Sequence, residues 1–398
     1  ETAGAVFAMK KVLIVNNNMK IGGVQKSLCN LLWSAADRYD ITLLLFAPVG
    51  AYMCDIPEQV RVLTCDSLFR YLGMSQKECT GDLRAYLTRG VLAAACRLRG
   101  RKAVMPQLLR SQKPLEMQYD CAISYLQNGD RRRFYGGVNE FVLEKVHAAR
   151  KIAFLHCDYL QCGANCEENN ALYRAFDRIA ACSDGCRRAF LQAMPELAER
   201  CVAVPNFHRY GKIRELSQQT PYCYPAGALH VVMVGRLAHE KGIDRAIRAI
   251  AYVREQGLAA MLHLVGSGQK EQELRALAQS LGLDDAVIFH GSQSNPYRFM
   301  RNADLLLMTS FHEAAPMVID EACCLGLPVL STATTSTQEM ILRRGCGWVC
   351  GQSQDSINSA LEEILRGRSA RERVRSQIQG MDIDNKQAMS QLEKLIGT

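Results

Sequence analysis

Short apolar segments alternate with helical patterns along almost the whole chain, and this alternation limits the fold more than any other feature. Near the start, the apolar runs Lys11–Asn16 and Ile41–Phe46 flank a glycine loop and the helical stretch Val24–Ala36. Strand, glycine loop, helix and strand in this order begin a doubly wound α/β domain. Further apolar runs lie at Cys121–Ser124, Ile152–Leu155, Ile179–Cys182 and Cys201–Val204. Near-continuous apolar strands favour a parallel sheet covered by helices on both faces.

The alternation stops at residues 210–227 and then restarts. This segment is polar and contains Pro221, Pro225 and Gly227, which is typical of an interdomain linker. Predicted strands follow at His230–Val234, Ala260–Val265, Ala286–Phe289, Asp304–Met308 and Pro328–Ser331, with helices at Gly242–Gln256, Gln269–Leu281, Asn295–Arg301 and Pro316–Leu325. The sequence therefore predicts two Rossmann-like domains facing across a cleft, at residues 9–209 and 228–376, and a C-terminal helix within 377–398 that crosses back to the first domain.

Neither end of the chain carries a segment that changes this prediction. No apolar run approaches the roughly 20 residues that span a bilayer, and no secretory signal is visible. Glu1–Ala8 precede Met9, a plausible natural start, and we expect them to be a tail outside the fold.

The 17 cysteines are odd in number and scattered, which favours reduced, buried thiols over a disulfide framework. The densest group is His156, Cys157, Cys162 and Cys166, and it lacks the paired thiolate spacing of a zinc site. Asp382-Ile-Asp384 lies in the tail, away from any core strand that would carry a donor-metal aspartate pair. We therefore predict no metal site.

One stretch is strongly basic within a chain of net charge +8. No acid lies between Asp82 and Glu116, and apolar residues alternate with the cations Arg84, Arg89, Arg97, Arg99, Arg101, Lys102, Arg110 and Lys113. A cationic helix with one apolar face lies on anionic membranes, while the alternative is a helix pair that packs its apolar side on its own domain. Few aromatic residues interrupt the stretch, so we do not predict nucleic-acid binding.

Two loops of the second domain carry groups that suit a nucleotide-sugar. Gly235-Arg236 follows the strand His230–Val234, and Lys241-Gly242 opens the next helix. Both cations are thus predicted at the carboxyl edge of the sheet, where they would neutralise a leaving diphosphate.

The second loop holds Glu313 just before a helix and Glu321 on that helix. Two carboxylates at this spacing can hold sugar and ribose hydroxyls. The backbone at the start of the helix is predicted to bind phosphate or sugar oxygens through Ala315, Pro316, Met317 and Val318.

With these motifs in place, the sequence resembles the family 4 retaining glycosyltransferases of GT-B fold. The resemblance rests on Glu313 and Glu321 as an E-x7-E pair and on the segments VVMVGRLAHEKGIDRAIRAI, LVGSG, VIFHGSQSNPYRFMRNADLLLMTSFHEAAPMVIDEACCLGLPVLST and Gln338-Glu339. In the first domain it covers KVLIVNNNMKIGGVQKSLCNLL, His156-x-Asp158 and RIAACSDGCRRAFL leading to VPNF. Residues 64–119 show no resemblance.

The resemblance implies roles for individual residues. Gly22 and Gly23 match the loop that approaches the diphosphate, and Arg236 and Lys241 match the phosphate cations. Glu313 matches the glutamate on the transferred sugar, and Glu321 the one on the ribose. His156 matches a histidine near the donor sugar, although a satisfied histidine at a strand end is the alternative.

Other positions match less closely or depart from the family. Residues 291–293 fall where the family binds the base. Ala314 and Ala315 replace the usual glycine and large apolar residue; alanine keeps the N–H donors but adds a methyl group where the sugar approaches. The sequence offers no role for Asp320, and His312 is interpreted as a loop residue without one.

The resemblance predicts a hexosyltransferase that retains anomeric configuration and needs neither cofactor nor metal. We expect a nucleotide diphosphate sugar donor, with uridine as the first choice, and a glycan or lipid-linked acceptor in bacterial capsule or exopolysaccharide synthesis. The expected location is the cytoplasm, with peripheral contact at the inner face of the membrane. The alternatives are a GT-B phosphorylase or epimerase, and a GT-B protein that binds a partner without catalysis.

Overall fold

The computed structural model describes residues 9–397, so the predicted tail Glu1–Ala8 lies outside the described residues. The described chain forms two compact units. The first contains residues 9–207 together with 385–397, and the second contains residues 208–384.

The first unit is built on a seven-stranded parallel sheet. Its strands are β1 Lys11–Asn16, β2 Asp40–Leu45, β3 Arg61–Thr64, β4 Gln118–Ser124, β5 His147–Leu155, β6 Arg178–Ala181 and β7 Cys201–Ala203. Its helices are α1 Gly23–Ala35, α2 Arg70–Gly73, α3 Leu83–Arg99, α4 Met105–Ser111, α5 Val138–Lys145, α6 Glu167–Arg174 and α7 Asp184–Ala193. The strand order is β3-β2-β1-β4-β5-β6-β7, so the winding direction reverses between β1 and β4.

The second unit repeats this plan with six parallel strands. They are β8 Leu229–Val234, β9 Ala260–Val265, β10 Val287–Gly291, β11 Leu305–Met308, β12 Val329–Thr332 and β13 Gly347–Cys350. Its helices are α8 Tyr210–Gln218, α9 Ile243–Glu255, α10 Glu271–Ser280, α11 Tyr297–Met300, α12 Met317–Cys324, α13 Gln354–Arg366 and α14 Arg368–Gln379. The order β10-β9-β8-β11-β12-β13 reverses between β8 and β11. The prediction of two parallel-sheet, Rossmann-like domains is confirmed.

Burial explains why these segments become strands and helices. On β1 every residue after Lys11 is buried, and Leu28, Leu31 and Leu32 of α1 join β1 and β2 in one apolar cluster. In the second unit, Ile247 and Ile250 of α9 pack in the same way on β8 and β9. Each such side chain stabilises the fold by about 1.5–3 kcal/mol relative to exposure. Because both faces of each sheet are covered, the carboxyl ends of the strands are left to form sites.

The segment predicted as a linker is part of the second unit. Its first half is the helix α8, which buries Ile213, and its second half is held by Tyr222 and Tyr224. The ring of Tyr222 lies 4.9 Å from that of Phe299. The polar composition of 210–227 concealed these few apolar anchors, which pack the segment on the second unit.

The C-terminal residues divide between the units. Helix α14 ends at Gln379, and the second unit continues to residue 384 rather than to 376. The last helix, α15 Lys386–Ile396, belongs to the first unit and buries Met389, Leu392 and Leu395 in its core. Its apolar residues recur every three or four positions and give it one face that must be covered, and β1, β2 and α1 contribute to the cluster that covers it.

No helix among the described residues is long and apolar enough to cross a membrane.

Candidate functional site

The reversal of strand order in the second unit brings two loops together. One loop follows β8 and carries Arg236 and Lys241, and the other follows β11 and carries Glu313. Ligands of doubly wound folds bind at such a point, beyond the carboxyl ends of the strands. A small pocket lies here, lined by residues that include Val234, Lys241, Ser310, Glu313 and Val318.

Two glycines allow the loop after β8 to take its path. Gly242 has a φ of +56°, and a Cβ there would lie 2.3 Å from the carbonyl oxygen of Thr309. A Cβ on Gly266 would lie 1.8 Å from the carbonyl oxygen of Gly235. Since real Cβ atoms are not found at such distances, a side chain at either position would push the loops of β8, β9 and β11 apart.

The two cations on this loop have different partners. Lys241 places Nζ 2.5 Å from Oε1 of Glu313, so it reaches across to the loop after β11. Arg236 instead pairs with Glu240 on its own loop at 2.5 Å, and 71% of its side chain is exposed. Lys241 is therefore part of a fixed pair in the cavity, whereas Arg236 lies at the surface beside it.

Glu313 is the central carboxylate of the site. Its side chain is 11% exposed, and its Oε1 accepts hydrogen bonds from Lys241 Nζ and from Ser310 Oγ at 2.7 Å. Neither of these two hydrogen bonds uses Oε2 of Glu313. That oxygen can therefore accept a hydrogen bond from a ligand hydroxyl. A carboxylate held in one orientation by two donors is suited to recognise a sugar.

Glu321 lies on α12, one turn from its start, and is 2% exposed. Whether it meets a ribose stays a prediction.

The start of α12 differs from the prediction at one residue. The helix begins at Met317, and Pro316 is the N-cap residue. Proline has no backbone N–H, so the expectation that Pro316 binds phosphate through such a donor is wrong. The amide of Ile319 is bonded to the carbonyl of Pro316 at 3.1 Å. Met317 and Val318 therefore offer the first free helical amides of this turn.

Asp320, which had no role in the sequence, forms a buried charge cluster behind the site. It pairs with Arg344, and its Oδ2 lies 3.3 Å from Nε2 of His208. Burial opposes ionisation of this carboxyl, but the hydrogen bond with His208 and the charges of His208 and Arg344 lower its pKa to about 2. Asp320 thus holds α12 in place as a carboxylate and does not face the cavity as a second acid.

Arg245 was not expected from the sequence, yet it fixes the loop that carries Glu313. It is buried on α9, donates to the carbonyl oxygen of Thr309, and bonds the carbonyl and Oε1 of Gln352 at 2.8 and 2.9 Å. Its guanidinium also lies 3.8 Å from the ring centroid of Phe311. An arginine within an apolar helical pattern is the only sequence signal for this role, because its partners are known only once β11 is placed.

A row of three histidines crosses neighbouring strands next to the predicted base region. His230 Nδ1 lies 3.0 Å from His263 Nε2, and His263 Nδ1 lies 3.1 Å from His290 Nε2. His230 Nε2 lies 2.8 Å from the carbonyl oxygen of Pro225, which can only accept, so His230 donates through Nε2 at this end of the row. Burial and the neighbouring imidazoles lower the pKa of His263 to about 3. The three histidines come together only when the register between the strands is known. The sequence of each strand alone therefore does not reveal the row.

The residues proposed for the base are at the end of this row. Gly291 ends β10 with a φ of +66°, and Nε2 of the Gln293 side chain donates to the carbonyl oxygen of His290 at 2.7 Å. The histidine row and Gln293 thus hold the 291–293 turn in one conformation.

In the first unit, the glycine pair follows β1 at the reversal of its sheet. Gly22 is the N-cap of α1 and no side chain caps this helix end. A Cβ on Gly23 would meet nothing within 4 Å, and one on Gly22 would meet only the flexible end of Gln25. Neither position needs glycine in order to avoid backbone strain. Because these residues have no side chains, they leave the amides at the start of α1 accessible.

His156 lies directly after β5, as predicted, in an aromatic setting. Its ring is 4.6 Å from that of Tyr125 and 5.7 Å from that of Phe154. Its Nε2 is buried and has no hydrogen-bond partner among residues 9–397. Burial lowers the pKa of His156 to about 3, so the imidazole is neutral at pH 7. A satisfied structural histidine would not leave this nitrogen unpaired, which favours a ligand role.

We expect this low pKa to make the protein less stable in mild acid. Because an unfolded histidine titrates near 6.5, the unfolded chain binds more protons than the folded one between about pH 6.5 and pH 3. The free energy of unfolding should therefore fall by up to about 2 kcal/mol per buried histidine between pH 7 and pH 5. Urea unfolding of His156→Phe, which keeps the ring stack, should show a smaller fall than wild type. The exposed matched control His147→Phe should not, and an unchanged slope for His156→Phe would refute a neutral buried His156.

Among the described residues, no group of three or more histidines, cysteines and carboxylates is placed to hold a metal ion.

The match to a known protein family lies within the second unit. Residues 225–381 match the family model of glycosyl transferases group 1. Over 137 residues the chain is 35% identical to the lipopolysaccharide glucosyltransferase WaaG of Escherichia coli strain K12, covering 34% of this chain and 37% of that protein. Over 152 residues it is 33% identical to the lipopolysaccharide core biosynthesis glycosyltransferase LpsE of Rhizobium meliloti, covering 38% and 43%. The matched stretch thus spans less than half of either relative.

Solved structures extend the likeness to both units. Anabaena HepE in complex with UDP and glucose has a TM-score of 0.68 at 19% identity, covering 97% of this chain and 98% of that one. The crystal structure of WaaG, a glycosyltransferase involved in lipopolysaccharide biosynthesis, has a TM-score of 0.62 at 19% identity, covering 97% and 100%. At this identity the likeness shows the fold, and the chain has the GT-B fold of two Rossmann-like domains.

Proposed function

We propose that the protein is a retaining glycosyltransferase that moves a sugar from a nucleotide diphosphate sugar to a glycan or lipid-linked acceptor in cell-surface polysaccharide synthesis. The observation that carries this proposal is the pair of Lys241 and Glu313 at the point where the second sheet reverses, 2.5 Å apart. A cation suits the diphosphate and a carboxylate suits the sugar hydroxyls, so the pair joins both halves of a donor. The match of residues 225–381 to glycosyl transferases group 1 supports it.

The proposed chemistry depends on leaving-group stabilisation. Lys241, the exposed Arg236 and the amides of Met317 and Val318 would neutralise the departing diphosphate as charge develops on it. The Oε2 atom of Glu313 would hold a hydroxyl of the transferred sugar, while Glu321 would hold the ribose. The acceptor hydroxyl would attack on the face that the diphosphate leaves, and a phosphate oxygen would take its proton. No covalent nucleophile is needed.

His156 would contribute a hydrogen bond from the first unit. Its buried Nε2 atom lacks a partner in the described residues, and the neutral ring can pair with a sugar hydroxyl without adding charge. Gly22 and Gly23 would leave the α1 amides accessible to a phosphate.

We propose uridine as the donor base. The solved HepE structures hold UDP, UDP with glucose and UDP-glucose, and their chains share this fold. The rigid turn at 291–293 would meet the base.

Donor class and stereochemistry test the proposal together. In a thermal-shift screen, UDP-sugars should raise the melting temperature more than ADP- or GDP-sugars, because only a ligand of the folded state stabilises it. With a UDP-α-sugar and lipid-linked glycans from cells that make such polysaccharides, the product should be the α-glycoside by NMR. A β-glycoside would overturn retention. UDP release without any acceptor-dependent product would favour the epimerase or phosphorylase alternatives.

The basic stretch supports an acceptor at a membrane. On α3, Leu83, Leu87, Val91 and Leu98 are each more than half exposed, opposite the buried Leu92 and Cys96. The alternative that this apolar side packs on its own domain does not hold for these four residues. Arg84 and Arg97 border the exposed stripe, while Arg101 is buried against Glu140 at 3.1 Å and adds no surface charge. We propose that α3 rests on an anionic bilayer at the inner face of the membrane.

Flotation with liposomes tests this contact. The protein should float with vesicles that contain phosphatidylglycerol at low salt and be released at high salt, since screening weakens surface charge. The double variant Leu87→Glu and Val91→Glu should float at least about tenfold less, since it loses apolar area and gains repulsion. Leu281→Glu, on an exposed leucine of the second unit, is the matched control. Failure of wild type to float at low salt would rule the contact out.

A further inference from the structure

Two thiols lie side by side beyond the carboxyl ends of the first sheet. Cys157 follows His156 and is buried, whereas Cys162 is exposed. Their Sγ atoms are 3.1 Å apart. We propose that Cys157 and Cys162 are a redox modification site, which a small disulfide of the glutathione type closes into an intramolecular disulfide.

The backbone between the two residues explains why they meet. The amides of Gln161 and Cys162 donate to the carbonyl oxygen of Asp158 at 3.2 and 3.0 Å. The side chain of Asp158 also accepts from the amides of Leu160 and Gln161, at 3.1 and 3.2 Å. This turn, held by hydrogen bonds to both the carbonyl oxygen and the side chain of Asp158, brings Cys162 back into contact with Cys157. Bond formation needs the sulfurs to approach from 3.1 Å to about 2.0 Å, a shift shared by the two side chains and the turn that carries them.

The two thiols differ in reactivity in the way such a site requires. The hydrogen bond shared by the sulfurs lowers the pKa of Cys162 and raises that of Cys157. The exposed thiol is thus the one that ionises first, and thiolates are the attacking species in exchange with disulfides. The buried thiol is held in contact as the resolving group.

Other thiols of the chain lack this combination. Cys54 and Cys223 are exposed, but their Sγ atoms contact the backbone carbonyls of Ala51 and Pro221. Cys182 and Cys186 have sulfurs 3.8 Å apart, but both are buried. An oxidant in solution therefore meets Cys162 with a second sulfur already beside it.

The step balances as two exchanges. The thiolate of Cys162 attacks one sulfur of the small disulfide, forms a mixed disulfide with it and expels one small thiolate. Cys157 then loses its proton to solvent and attacks Sγ of Cys162, which expels the second small thiolate. The protein loses two electrons and two protons, and one small disulfide becomes two thiols.

This modification has a consequence that rests on the proposed function. Cys157 is bonded directly to His156, whose Nε2 atom is the proposed contact with the sugar. The disulfide would tie the backbone of Cys157 to the 158–162 turn, and the resulting shift of that backbone would displace His156 from its contacts with Tyr125 and Phe154. Because misplacing a positioning group by about 1 Å can cost up to about 100-fold in rate, transfer by the oxidised protein should fall by about 10- to 100-fold and recover with a reducing thiol.

Formation of the disulfide can be tested without an assay of sugar transfer. The full chain is incubated with oxidised glutathione, alkylated, digested and mapped by mass spectrometry. We expect one link between Cys157 and Cys162 and a mass lower by two hydrogens. Cys157→Ser should instead keep glutathione on Cys162, Cys162→Ser should form neither product, and Cys54→Ser should behave as wild type.

Several results would overturn the proposal. In the wild type, glutathione could stay on Cys162, or Cys157 could link to Cys182 or Cys186 instead. Oxidation of Cys54 and Cys223 before Cys162 would also contradict it. If the link forms and transfer is unchanged, the proposed effect on His156 is wrong. If reduced wild type transfers no sugar while the link still forms, the proposed function has failed and the modification site stands.

Discussion

Glu313→Gln is expected to lower sugar transfer by about 100- to 1000-fold while the protein stays folded. Glutamine keeps the shape of the side chain but removes the charge that holds Lys241 at 2.5 Å. It also replaces one acceptor oxygen with an NH2 group, so Ser310, Lys241 and a sugar hydroxyl would compete for a single carbonyl. The loss should appear mainly in kcat, because the developing charge of the transition state is what the pair stabilises.

Steady-state kinetics with the best donor measure this effect. Glu255→Gln, at the exposed end of α9, is the matched control and should stay within twofold of wild type. The melting temperature of Glu313→Gln should change little, since Glu313 lies at a cavity and not in the apolar core. Transfer by Glu313→Gln at the wild-type rate would remove this carboxylate from the catalytic role.

Arg245→Met should lower the free energy of unfolding by about 2–3 kcal/mol. The substitution leaves the buried carbonyl oxygen of Thr309 without its donor, removes the hydrogen bonds to Gln352, and removes the cation from the face of Phe311. Since these contacts hold the loop of Glu313, transfer should fall as well. Arg245→Lys should not restore either property, because a lysine cannot supply the planar set of donors.

Urea unfolding of the full chain gives the stability change. Arg248→Met, one turn further along the same helix and exposed, is the matched control and should shift the free energy of unfolding by less than about 0.5 kcal/mol. Equal unfolding midpoints for Arg245→Met and Arg248→Met would mean that the buried guanidinium does not hold the loop.

Sequence patterns located most of the sheet because parallel strands are buried on both faces. Ala260–Val265 was predicted with its observed bounds, and most other strands were placed within a few residues. The edge strand β3 was missed because none of its residues is buried, so Arg61–Thr64 carries no apolar run. The edge strand β13 was missed for the same reason, since only Cys350 is buried in it.

The sequence predicted where the residues of the candidate site lie, but not how they pair. The positions of Arg236, Lys241 and Glu313 beyond the strands follow from the order of elements. Their pairing does not, because Arg236 meets Glu240 and only Lys241 meets Glu313.

Residues that act through neighbours on other strands could not be predicted at all. Asp320 depends on His208 and Arg344, which come from distant parts of the sequence. The histidine row depends on the register between β8, β9 and β10. A single sequence contains neither kind of information.

Binding of UDP and uridine to the full chain by calorimetry tests the central claim, that the loops after β8 and β11 bind a nucleotide-sugar. We predict that wild type binds UDP with a Kd in the range of about 1 µM to 1 mM. Lys241→Ala should weaken UDP about 10- to 100-fold, because one cation on the diphosphate is lost, and should leave uridine unchanged. Absence of UDP binding by wild type, or equal UDP affinity for wild type and Lys241→Ala, would contradict the claim.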